Sequence, residues 1–99
     1  MELNIINQNP AFITIKGRLD TVNAGNFETA IAPIIADSMK DVVINCTELD
    51  YISSSGLRQF LILQKKATAD QVNLIIRGMQ DEIKEIFNMT GFSALFLFE

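Results

Sequence analysis

The sequence predicts an α/β fold: a single domain with a mixed β-sheet packed against helices, in the chain order β-β-α-β-α-β-α-β. Three observations carry that expectation. Apolar runs of strand length alternate with segments whose apolar residues recur at helical spacing, the pattern of strands joined by crossover helices and therefore of parallel pairing. The first two strand-like runs are separated only by a short Asn- and Pro-containing stretch, which suits an antiparallel hairpin. The 99 residues, 48% hydrophobic and 20% charged, suffice for one core and not for two.

Taken in order, Leu3 and Ile5 mark the first strand, and Asn7-Gln8-Asn9-Pro10 reads as a turn. From Ala11 to Gly17 the chain alternates. Ala11, Ile13, Ile15 and Gly17 share one face, and Phe12, Thr14 and Lys16 the other. The polar stretch GRLDTVNAGN, 17–26, reads as a loop, with Asn23 as an N-cap for the first helix. Phe27, Ile31, Ile34 and Ile35 form the apolar face of that helix, and Pro33 is expected to kink its last turns.

Val42-Val43-Ile44-Asn45-Cys46 is a short, nearly continuous apolar run, as in a strand buried on both faces. TELDYI follows as a loop. Leu57, Phe60, Leu61 and Gln64 mark a second helix, and Val72 to Ile76 a further buried strand ending at Arg77-Gly78. Met79, Ile83, Ile86 and Phe87 define a third helix, with Gly91 placed for its C-cap. Ala94 to Phe98 completes the sheet. The acids Asp81, Glu82 and Glu85 read as a solvated helix face.

Composition narrows the function. A net charge of −4 without a basic run argues against direct nucleic-acid binding. The single cysteine, Cys46, lies in an apolar run and reads as a core residue. With no histidine, the chain by itself supplies neither a His-ligated metal site nor a Ser-His-Asp triad. The acidic start, MELNIINQNP, is unlike a secretory signal, and the apolar run AIAPIIA is too short to cross a bilayer. These features fit a cytoplasmic protein without membrane insertion. Neither GxxxxGK[ST] nor GxGxxG occurs, so no nucleotide cofactor is expected.

The stretch YISSSGLR, 51–58, stands where a buried strand gives way to the second helix. Functional groups gather at this carboxyl edge in open α/β sheets. Three readings of Ser53, Ser54 and Ser55 follow. As helix caps they satisfy free N–H groups, with Gly56 easing the turn. As nucleophiles they need a base. There is no histidine, Lys65 and Lys66 lie on a helix surface, and the GxSxG elbow is absent. No catalytic residue is therefore expected. As modification sites they accept a phosphate at a helix N-terminus, where the dipole tolerates the charge.

Several short segments share an order and spacing with a known family. Gly17-Arg18-Leu19-Asp20 resembles its G-E-L-D element, and Ser53-Ser54-Ser55-Gly56-Leu57 resembles its D-S-S-G-L element. VVINCTELDYI and FNMTGF, at 87–92, add two further matches. Over 1–99 the sequence is similar to the STAS family, in particular to its stand-alone anti-sigma factor antagonists.

That resemblance implies a small mixed sheet packed against helices and a non-enzymatic phosphoswitch. The unphosphorylated protein binds an anti-sigma factor, often one with a GHKL-type serine kinase fold, and a sigma factor is released. Phosphorylation ends the binding, and a PP2C-type phosphatase restores it. The family's serine corresponds to Ser54, with Ser53 and Ser55 as competing sites. Asp20, Ser53, Ser54, Ser55, Gly56 and Arg58 form the implied partner surface. On physical grounds alone Asp20 reads as a turn residue and Arg58 as a solvated helix residue. Ser53 replaces the usual acid before the serine, and the last strand leaves little room for the final helix that many members carry. The rival reading is a cytosolic STAS subunit of a lipid or anion transport system without a phosphoswitch.

Overall fold

The computed structural model describes residues 1–8, 10–37 and 41–99. Five strands and three α-helices follow one another as β1 (Glu2–Ile6), β2 (Ala11–Leu19), α1 (Ala24–Asp37), β3 (Asp41–Ile52), α2 (Ser54–Ala69), β4 (Asn73–Arg77), α3 (Asp81–Met89) and β5 (Leu97–Phe98), with a 3₁₀ turn at Ser93–Leu95. The expected order is observed. The sheet runs β1-β2-β3-β4-β5, antiparallel between β1 and β2 and parallel thereafter. The expected Asn7–Pro10 turn includes Asn9, which lies outside the described residues.

One apolar cluster unites the helices with alternate strand residues. Ile13, Ile15, Ile44, Leu74 and Ile76 from the sheet meet Phe27, Ile31 and Ile35 of α1, Phe60 and Leu63 of α2, and Ile83 and Phe87 of α3. Phe60 lies at its centre, with ring centroids 5.0 Å from Phe27 and 5.7 Å from Phe87. Each such side chain fully removed from water contributes roughly 1.5–3 kcal/mol.

The other face of the sheet carries a row of apolar residues in register across all five strands: Ile6, Phe12, Val43, Ile75 and Leu97. Val43 is buried at the middle of this row while Ile6 and Leu97 stay exposed at its ends. The neighbouring row, Asn4, Thr14, Asn45 and Arg77, is polar.

Four local expectations are corrected. First, β2 extends through Gly17-Arg18-Leu19, so the loop begins only at Asp20. Second, TELDYI is not a loop but the second half of β3. Register shifts between β2 and β3, at Thr14/Lys16 and Gly17/Arg18, each set an extra β3 residue against β2. From Cys46 onward the buried residues are Cys46, Leu49 and Ile52, spaced by three, so the alternation that marks a strand is lost. Third, Ala94 and Leu95 belong to the 3₁₀ turn, and β5 is only two residues long. Fourth, Met79 is buried but precedes α3.

α1 runs through Pro33 to Asp37, with Pro33 on its exposed side. Gly91 ends α3 as expected. It adopts φ +78°, the Gly91 N–H donates to the Asn88 carbonyl at 3.1 Å and the Phe92 N–H to the Phe87 carbonyl at 3.1 Å, a Schellman arrangement.

Candidate functional site

The long β3 delivers the three serines to the carboxyl edge of the parallel sheet, beside the end of β2. The Ser53 N–H donates to the Leu19 carbonyl at 2.9 Å, which ties the two strand ends together. Ser53 has extended backbone, φ −88° and ψ 173°, and its Oγ accepts the Gly56 N–H at 3.1 Å. It is the N-cap of α2. Its hydroxyl oxygen is committed to the fold.

Ser54 is the first residue of α2. It is exposed, and its hydroxyl has no partner among the described residues. Ser55 is half-buried, and its Oγ lies 3.4 Å from the Thr21 Oγ1 on the loop after β2. The three serines thus have three different environments. The first turn of α2 carries no acidic residue, so nothing there offsets the positive end of the helix.

Gly56 is buried, and its backbone is not in a positive-φ turn. A Cβ on it would stand 2.8 Å from the Leu19 side chain and 2.9 Å from both the Ile52 side chain and the Leu19 carbonyl. The expectation that Gly56 eases a tight turn is therefore corrected. Its lack of a side chain lets α2 sit against the ends of β2 and β3. Arg58 is exposed one turn after Ser54 on α2 and forms no ion pair among the described residues.

The facing loop is built by Asp20 and Asn23. The Asp20 Oδ1 accepts the N–H groups of Val22 at 3.1 Å and Asn23 at 3.3 Å, and the Asp20 carbonyl accepts the Ala24 N–H at 2.9 Å. Asn23 returns the contact through its Oδ1, which accepts the Asp20 N–H at 2.9 Å. This is a reciprocal capping box, with Asp20 in the N-cap role one turn before α1 proper. Asn23 was the expected cap. Its side chain instead reaches back to Asp20, and its Nδ2 donates to the Arg18 carbonyl at 2.9 Å.

Three features of this edge escape a reading of the sequence. Thr21 meets Ser55 across 34 positions of chain. Val22, at 90% exposure, is held outward between the two capping residues. The Arg18 guanidinium stacks 4.0 Å over the Tyr51 ring, a pair set side by side by the β2–β3 register. The Gly17-Arg18-Leu19-Asp20 segment hinted at the loop, but local spacing carries no signal for contacts between distant segments.

Among the described residues, no group of acidic or cysteine side chains is placed to hold a metal ion, and no helix is long and apolar enough to cross a membrane. Cys46 is buried, its Sγ 3.8 Å from the Ile44 carbonyl, and burial pushes its thiol up to about 12.

The sequence profile of the STAS domain matches residues 3–99. BtrV of Bordetella bronchiseptica is 30% identical over 82 residues, which span 83% of this chain and 71% of that protein. The anti-sigma-B factor antagonist of Staphylococcus aureus is 28% identical over 83 residues, covering 84% of this chain and 77% of its own. The structure of the anti-sigma factor antagonist SpoIIAA in its unphosphorylated form superposes with a TM-score of 0.81 at 16% identity, over 99% of this chain and 88% of that one. At that identity the superposition speaks for the fold.

Proposed function

The chain belongs to the STAS domain family, and on that footing we propose that it is an anti-sigma factor antagonist whose binding is switched at Ser54. The observation that carries the choice of residue is the division of labour among the serines. Ser53 caps α2, Ser55 meets Thr21, and Ser54 alone is exposed with a free hydroxyl. A relative in Staphylococcus aureus bears the name anti-sigma-B factor antagonist, which supports the general role.

In this reading the edge formed by Thr21, Val22, Ser54 and Arg58 docks onto an anti-sigma factor with a GHKL-type serine kinase fold, and the sigma factor is released. Asp20 holds the loop in shape through its capping box. The kinase then transfers the terminal phosphoryl group of ATP to the Ser54 Oγ. An Oγ–P bond forms, the bond from that phosphorus to the ADP oxygen breaks, and the hydroxyl proton is lost. A PP2C-type phosphatase reverses the state by hydrolysis, releasing inorganic phosphate.

The phosphate brings about −1.5 to −2 charges to the start of α2. The helix end favours that charge by about 0.3–1 kcal/mol, and Arg58, four positions on, can pair with it. The domain therefore stays folded while its docking edge becomes an anion. A micromolar complex rests on about 8 kcal/mol, and burying a poorly paired charge costs a large part of that.

The test uses Ser54→Ala and Ser54→Asp as baits in lysate of the source organism, with mass spectrometry of the wild type after incubation with any kinase recovered. A GHKL-type kinase held by Ser54→Ala, lost from Ser54→Asp and able to phosphorylate Ser54 is the expected result. Recovery of an ATP-binding cassette subunit on both baits would sink the proposal in favour of a transport role.

A further inference from the structure

The two edges of the sheet are finished differently. β5 is only Leu97–Phe98, and the chain beyond it is held by Arg77, whose Nε and Nη2 donate to the Glu99 Oε1 at 2.9 and 2.6 Å. β1 is five residues long, pairs with β2 in unbroken register, and is a sheet edge. It contains no lysine, proline or bulge, the devices that ordinarily block an exposed edge. Ile5 and Ile6 are 37% and 48% exposed on it.

We propose that β1 pairs antiparallel with β1 of a second copy about a two-fold axis at Asn4, giving one continuous ten-stranded sheet in a closed dimer. Three features select this register and this occupant. Opposed residues of an antiparallel pair lie on the same face, so a dyad that keeps both cores on one side must match odd positions with odd and even with even. Of the registers that do so, the one centred on Asn4 pairs all five residues of β1: Glu2 with Ile6, Leu3 with Ile5, and Asn4 with itself.

On the core side this sets Leu3 beside Ile5 of the other copy, twice. Leu3 packs only partly against the core, and Ile5, opposite Ile13, is exposed there. The dyad brings four apolar side chains together. The charges are compatible as well. Glu2 is the only charged residue of β1, and it falls opposite Ile6 and never opposite its own copy. On the open face, two Asn4 amides meet at the axis. The opposite edge, β5, offers only two residues, and a pairing of β1 with β1 about a dyad closes after two copies, so it does not propagate as a fibre.

Light scattering, circular dichroism and cross-linking of the full chain test this. Opposed Cα atoms at the dyad would be about 4.5 or 5.5 Å apart, inside the range a disulfide spans. Asn4→Cys should therefore form a covalent dimer under mild oxidation, while Glu85→Cys, exposed on α3, should not. Cys46 is fully buried and does not compete. The wild type should show twice the monomer mass across the micromolar range. Asn4→Lys, which sets two like charges at the axis, should show the monomer mass with an unchanged circular dichroism spectrum. A wild type that stays monomeric overturns the proposal. A dimer that Asn4→Lys leaves intact and Asn4→Cys does not link overturns it too.

Discussion

Asp20 and Asn23 cap each other: Asn23 Oδ1 takes the Asp20 N–H at 2.9 Å, and Asp20 Oδ1 takes the Asn23 N–H at 3.3 Å. The pair fixes the loop that holds Thr21 beside Ser55 and points Val22 outward. An aspartate that a sequence offers as a contact residue is here first a structural one.

The two roles of Asp20 separate by substitution. Asp20→Ala removes a cap and should cost about 0.5–2 kcal/mol of stability. Asp20→Asn keeps an oxygen for the Val22 and Asn23 N–H groups and should stay within a few tenths of the wild type. Denaturant unfolding of both variants measures this. If Asp20→Asn is as unstable as Asp20→Ala, the carboxylate charge matters and the capping account is wrong.

Gly56 separates packing from signalling. Gly56→Ala forces a methyl against Leu19 and Ile52 and should destabilise by about 1–3 kcal/mol. Ser54→Ala, at an exposed site, should change stability by less than about 0.5 kcal/mol. Thermal unfolding followed by circular dichroism compares the two. Equal midpoints would refute the close contact at the end of β2.

Two helix ends give opposite glycine effects. Gln71 closes α2 at φ +59°, with the Gln71 and Val72 N–H groups donating to the Thr68 and Ala67 carbonyls at 3.2 and 2.8 Å. This is the Schellman geometry that glycine adopts without strain. Gln71→Gly should stabilise by about 0.5–1 kcal/mol. Gly91 occupies the same position after α3 at φ +78°, with open space where a Cβ would stand. Gly91→Ala should therefore cost about 1–2 kcal/mol from backbone strain alone. Chemical denaturation of both variants should show shifts of opposite sign.

Cys46 makes stability sensitive to alkali. Burial raises its thiol from 9.0 to about 12. Above pH 9 the unfolded chain loses this proton while the folded one keeps it. The stabilising contribution is thus complete below pH 9 and declines as pH rises toward 12. Cys46→Ala should flatten that decline after allowance for its smaller core volume. At neutral pH, a thiol reagent should modify Cys46 at the rate of unfolding. Rapid labelling under native conditions would contradict its burial.

The candidate site was legible in the sequence as a place. A strand followed by Ser53-Ser54-Ser55-Gly56 and a helical repeat puts serines at a helix N-terminus, because capping chemistry and periodicity are local. Their separate roles were not legible. Ser53 bonds three residues ahead, Ser55 reaches Thr21 from another loop, and Ser54 is distinguished by having no partner among the described residues.

The sequence by itself determined the order of elements, the hairpin, the parallel second half and most of the core, including Phe27, Ile31, Phe60, Ile83 and Phe87. Each of these rests on a period of two or 3.6 within one segment. Tertiary structure alone decided that β3 runs on to Ile52, because its two register shifts exist only against β2 and turn an alternating pattern into a spacing of three. It alone decided that Gly56 lies beneath Leu19, that Asp20 pairs with Asn23 in a capping box, and that β1 is left as the open edge. Close approaches, strand neighbours and hydrogen bonds between loops depend on where other segments arrive, and no local periodicity encodes that.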